Sequence, residues 1–149
     1  YSMPNKLNNK RLILVFIIFC PFVFSEKNMN LFEGHWQTSS SIVLVKQCNR
    51  ELCAFIEKIT TEDKDNFKQI LDVNNRNKSL RQRPLVGINL LQDFSYPDKN
   101  IKMLRNGKIY DPGRGRIFKS NLYILDNGNL KVEGCFLRIC GHEEWSRLK

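Results

Sequence analysis

The stretch that most restricts the fold lies in the last third of the chain. Phe118, Ser120, Leu122 and Ile124 alternate with Lys119, Asn121 and Tyr123; Asp126-Asn127-Gly128-Asn129 follows; then Leu130, Val132 and Phe136 alternate with Lys131 and Glu133. Strict alternation sorts side chains onto the two faces of a strand, and Asn-Gly supplies the backbone freedom of a tight reversal. Two antiparallel strands joined by a short turn follow from this pattern.

The rest of the chain extends the meander. Ile42 to Lys46 and Leu52 to Ile59 are rich in β-branched and aromatic residues and are separated by a short polar segment, which predicts a second hairpin. Val86, Ile88, Leu90 and Phe94 fall on one alternating face with Asn89 and Asp93 on the other, predicting a half-buried strand. Lys108 to Tyr110 reads as a short strand stopped by Asp111-Pro112-Gly113. Glu143 to Leu148 can close the series. Residues 60–84 are dominated by Lys, Asp and Asn, with helical spacing confined to Phe67, Ile70 and Leu71 between Asp65 and Val73; they read as a long loop with one or two helical turns.

Consecutive strands with short turns make an up-and-down antiparallel sheet, and closing it removes the exposed edges. About eight strands would enclose an interior that side chains nearly fill or that holds one small ligand. The expected fold is therefore an all-β barrel, with an open sandwich as the alternative.

The N-terminus is different in kind. Lys6, Lys10 and Arg11 precede an uncharged apolar run from Leu12 to Phe24. As a helix this run spans about 20 Å, short of the roughly 30 Å bilayer core, so the expectation is a signal peptide over residues 1–25 rather than a stable membrane span. Met3 would be its start, and cleavage after Ser25 would leave a single domain over 26–149. Phe19 before Cys20 is too bulky for a good lipoprotein site. Residues 1–25 hold three of the 24 basic side chains and none of the 15 acidic ones, leaving a mature charge of +6.

Four cysteines remain in two matching pairs, Cys48 with Cys53 and Cys135 with Cys140. In a periplasmic or secreted protein an even number around short reversals reads as disulfides. Zinc held by four thiolates is the rival, although structural zinc ligands more often sit about two to four residues apart. The spacing of thiol oxidoreductases is missing.

Several segments in order resemble a known family: Gly34-His35-Trp36, the Cys48 to Cys53 hairpin, Asp72-Val73-Asn74-Asn75, Arg81-Gln82-Arg83-Pro84-Leu85-Val86-Gly87, Gly107-Lys108-Ile109-Tyr110-Asp111-Pro112, Gly134-Cys135 and Trp145-Ser146-Arg147. From Gly34 to Arg147 the chain resembles the bacterial domain-of-unknown-function family DUF2147. It departs from the family pattern at Met103-Leu104, where a Trp is usual, and at Phe118, where a Tyr is common. The resemblance implies an exported protein with a lipocalin-like barrel and no assigned activity, and it carries over no catalytic residue. It also implies that Trp36 in the first strand lies under a basic side chain of the last, Arg147, sealing one barrel end.

The candidate ligand-binding residues are Trp36, Arg81, Arg83, Tyr110 and Asp111. Arg81 and Arg83 can clamp an anion or anchor their own loop; Asp111 can serve as a ligand carboxylate or cap the turn after it. His35 and His142 could meet as a metal pair only with a carboxylate or thiolate such as Glu143 or Glu144. Ser39, Ser40 and Ser41 lack a nucleophile frame, and Gly113-Arg114-Gly115-Arg116 reads as a turn. No cofactor or metal ligand is assigned. The basic cluster Arg76, Lys78, Arg81 and Arg83 has no interleaved aromatic residue, so nucleic acid is not expected. The leading expectation is a non-catalytic binder of a small apolar or amphiphilic molecule. The alternatives are an envelope or host-surface interaction protein using the basic loop, and an enzyme built around Asp111, His142 and an Arg.

Overall fold

The computed structural model describes residues 30–60, 70–98 and 100–149. The apolar run at 12–24, the signal-peptide reading and Phe67 lie outside the described residues.

The fold is an eight-stranded antiparallel barrel: β1 (Gly34–Gln37), β2 (Ser41–Cys48), β3 (Glu51–Ile59), β4 (Leu91–Gln92), β5 (Met103–Asp111), β6 (Arg116–Ile124), β7 (Leu130–Phe136) and β8 (Ile139–Arg147). Hydrogen-bonded neighbours run β3-β2-β1-β8-β7-β6-β5-β4. The segment around β4 brings the two ends of this sheet together. Gly87 N–H donates to the Ile56 carbonyl at 2.7 Å, Leu90 N–H to Ala54 at 2.7 Å, and Leu52 N–H to Phe94 at 2.9 Å. The Asn89 side-chain oxygen accepts from Ala54 N–H at 2.8 Å and Leu91 N–H at 3.2 Å, standing in for a ladder carbonyl. Backbone groups that an open edge would leave unpaired are thereby satisfied.

Val43 and Val45 of β2, Leu52 and Ala54 of β3, Leu122 of β6, Leu130 of β7 and Trp145 of β8 are buried in the core. Each fully buried Leu or Val contributes about 2 kcal/mol. Alternation on β6 and β7 follows the sequence pattern, with Ser120 and Leu122 on one face and Val132 beside Leu122 across the ladder.

Two expectations are corrected. The strand across Val86 to Phe94 shrinks to Leu91–Gln92 with isolated bridges at Asn89 and Ser95, and Val86 is exposed. Adjacent Leu90 and Leu91 are both buried, and Asp93 has φ +59°, so a simple two-residue period does not hold there. The short strand at Lys108 to Tyr110 is the end of nine-residue β5. A bulge between Leu104 and Gly107, with Asn106 at φ +65°, interrupts its alternation. Between residues 70 and 84 the chain is irregular, with one 3-10 turn at Lys78–Leu80 capped by Asn77.

Both cysteine pairs lie at disulfide distance, with Cα separations of 5.8 Å for Cys48–Cys53 and 4.1 Å for Cys135–Cys140. They belong to the β2–β3 and β7–β8 hairpins, whose tips lie at opposite ends of the barrel. That separation excludes one tetrahedral site made from all four thiolates.

Candidate functional site

The two barrel ends differ. At one, β1 pairs with β8 so that Trp36 faces Arg147, and the Arg147 guanidinium stacks 4.2 Å from the indole centroid. Arg147 also donates to the carbonyls of Leu31 and of Glu33, the latter at 2.8 Å, and the Trp36 indole N–H donates to Phe32 O at 2.9 Å. Gly34 makes this possible: its φ is +126°, and a Cβ there would stand 2.9 Å from the Arg147 Nη1. Trp36 and Phe32 are fully buried, so this end is plugged.

The other end opens into a cavity of about 720 Å³, within the roughly 300–1,000 Å³ range of small-molecule sites. Its deeper wall is apolar, with Ile56, Leu90, Ile109, Val132 and Trp145. Polar groups stand at the rim: the Thr38 to Ser41 turn, Asp111, Arg114, His142 and Glu143. Glu143 lies two residues from Trp145 and opposite Val132, which puts it on the inward face of β8. Its carboxylate accepts from Ser39 N–H at 2.8 Å and from the Trp145 indole N–H at 3.1 Å.

The segment from Ile70 to Gly87 covers one side of this mouth, contributing Ile70 and Leu85 to the lining. It is anchored through Asp72, a buried carboxylate. Asp72 Oδ1 accepts from the Tyr110 hydroxyl at 2.5 Å; Oδ2 accepts from Arg83 Nε and Nη2, both at 2.9 Å, and from Asn75 Nδ2 at 2.8 Å. Four donor contacts satisfy a charge that burial would otherwise penalise. Burial first and the neighbouring Asp72 carboxylate second push the Tyr110 hydroxyl up to about 12. The same segment rests on the β5–β6 turn, where Gly115 has φ +62° and a Cβ would come within 1.7 Å of the Asn74 carbonyl oxygen.

Of the candidate residues, Tyr110 and Asp111 line the cavity. Asp111 also caps its turn, accepting from Arg114 N–H at 3.2 Å, and pairs with the Arg114 guanidinium at 3.5 Å. Arg83 is engaged by Asp72 and stacks over Tyr110 at 5.4 Å; Arg81 donates to Asn75 O at 2.8 Å. Trp36 lies at the plugged end, away from the cavity. His35 pairs with Glu57 at 2.9 Å on the outer surface, while His142 stands at the mouth, so the two histidines do not meet. Sequence reasoning missed Asp72 and Asn75 as an anchoring pair, although both sit in one of the quoted family segments. It named Glu143 only as a metal partner; its place two residues before Trp145 on a closing strand was the available signal.

The span from the plug to the mouth is also what other proteins share. Residues 34–147 match the DUF2147 family, described as an uncharacterized protein conserved in bacteria. The chain belongs to the DUF2147 family. In this DUF2147 barrel the matched span begins at Gly34 and ends at Arg147, the two residues in contact at the plug. A solved structure from Helicobacter pylori, described as belonging to the lipocalin family, superposes on the DUF2147 barrel with a TM-score of 0.67. It shares 22% identity over 81% of this chain and 85% of that one, a likeness of fold. No curated protein matches the chain.

Proposed function

We propose that this is an exported, non-catalytic protein that holds one small apolar or amphiphilic molecule in the barrel, entering at the end opposite Trp36 and Arg147. The cavity carries this reading: an apolar wall ending at Trp145 with a polar rim suits a molecule whose tail is desolvated and whose head stays at the mouth. Side chains leave the interior partly unfilled, and the plug at the far end keeps water from draining the site through the barrel. Asp111 and Glu143 are the groups placed to touch the head, while Tyr110, its hydroxyl held by Asp72, lines the wall; Arg81 and Arg83 serve indirectly, by holding the segment that carries Leu85. Two cysteine pairs at disulfide distance support an oxidising compartment. Among the described residues no helix is long and apolar enough to cross a membrane.

The test is native mass spectrometry of the protein recovered from its own exported fraction. A mass above that of the chain, lost on denaturation together with one small molecule, is expected. Bare protein from every preparation, or recovery only from the cytoplasm, would contradict the reading.

A further inference from the structure

The hairpin tip between β7 and β8 exposes side chains that the fold does not need. Leu137 is 88% exposed, Ile139 80% and Phe136 53%, with Ile117 of neighbouring β6 at 50%. Leu137 also adopts φ +55°, a conformation that favours Gly or Asn over a branched apolar residue. The Cys135–Cys140 pair staples the neck of this hairpin, so the apolar tip is presented on a fixed support. Single exposed leucines are ordinary; three large apolar residues within four positions form a patch.

Its surroundings are cationic. Residues 114–119 and 136–139 contain Arg114, Arg116, Lys119 and Arg138 and no acid; the nearby carboxylates are Glu133 at the hairpin neck and Asp111 and Glu143 at the rim of the mouth, so the cations outnumber the acids at this end. Arg116, Lys119 and Arg138 form no ion pair among the described residues, whereas Arg114 is shared with Asp111. A second concavity, lined by Arg116, Phe118, Phe136 and Ile139, lies between the tip and the β5–β6 turn. It shares Arg114, Phe118, Gly134 and Gly141 with the barrel cavity, so patch and mouth are continuous.

We propose that the open end of the barrel docks on an anionic lipid surface. Leu137, Ile139 and Phe136 enter the headgroup layer while Arg116, Arg138 and Lys119 meet the phosphates. An anionic bilayer offers phosphates and an apolar interior at once, which matches an apolar tip flanked by cations that form no ion pair. Docking in this pose sets the cavity mouth against the lipid, so the amphiphile proposed above would pass from membrane to barrel without crossing water. The docking itself does not depend on the cavity being filled.

Cosedimentation of the protein recovered from its exported fraction with vesicles of phosphatidylcholine, with and without phosphatidylglycerol, tests it. Binding to the anionic vesicles alone is expected, weakening as salt is raised. Arg116→Gln and Arg138→Gln should each weaken it by about fivefold, and Leu137→Glu combined with Ile139→Glu should remove it while leaving the circular dichroism spectrum unchanged. Undiminished binding by the double variant would overturn the proposal. So would absent vesicle binding by a protein that still takes up an apolar probe in its cavity, a result that leaves the cavity reading intact. A dimer in sedimentation that the same substitutions dissociate, without vesicle binding, would assign the patch to a second copy and also overturn it.

Discussion

The guanidinium of Arg147 covers the indole of Trp36 at 4.2 Å, and the same two residues are register partners between the last and first strands. One contact therefore fastens the barrel seam and plugs its end. Burial pulls the Arg147 guanidinium below its usual range, but it remains charged at neutral pH. Arg147→Met should lower stability by roughly 1–2 kcal/mol, from the lost cation-π attraction and the two exposed hydrogen bonds to the Leu31 and Glu33 carbonyls. Urea midpoints read this, and uptake of a ligand at the other end should be unchanged.

At the mouth, Asp72→Ala removes the acceptor that Arg83, Tyr110 and Asn75 share. Because Arg83 retains partial access to water, the expected loss is roughly 2–3 kcal/mol, at or below the low end for a broken buried pair. Hydrogen exchange should show residues 70–87 loosening before the strands do.

Tyr110 gives this anchor a pH dependence. Its folded hydroxyl is raised to about 12 from 10, so the folded state holds the proton more tightly than the unfolded one. The contribution is complete below about pH 10 and falls away as pH rises from 10 to 12, by on the order of 2 kcal/mol. Tyr110→Phe should lose that alkaline decline while being less stable at neutral pH by about 1–2 kcal/mol. Stability curves of the two proteins that stay parallel through this window would refute the anchor.

Gly115→Ala should release the same segment by another route, since its Cβ would collide with the Asn74 carbonyl and its φ is positive. A loss of about 1–3 kcal/mol is expected, read as a lower melting temperature with the barrel spectrum retained.

Much of the fold is legible in the sequence because β6 and β7 keep an unbroken two-residue period and their turn carries Asn127-Gly128. β5 is half-legible: the bulge at Arg105 and Asn106 shifts its register, so only Lys108 to Tyr110 reads as strand. The β4 region hides for a related reason, its ladder being completed by the Asn89 side chain, which no periodicity reveals. The plug was legible through Gly34 and Trp36. The anchor was not: Asp72 and Tyr110 are 38 positions apart, and only the folded chain brings their oxygens together.

The central claim is that the barrel interior is an open apolar site. It is tested most directly by titrating the protein with an environment-sensitive naphthalene probe, using energy transfer from the two tryptophans, of which Trp145 lines the cavity. Gly134→Leu supplies the comparison: a Cβ there meets Ile109 and Phe118 at 3.6 Å, ordinary contact, so the strand tolerates it while the added side chain fills the space. Saturable one-site uptake by the unaltered protein, weakened at least tenfold in Gly134→Leu, which corresponds to about 1.4 kcal/mol, is the predicted result. Equal uptake by both proteins, or none by the unaltered one, would contradict it.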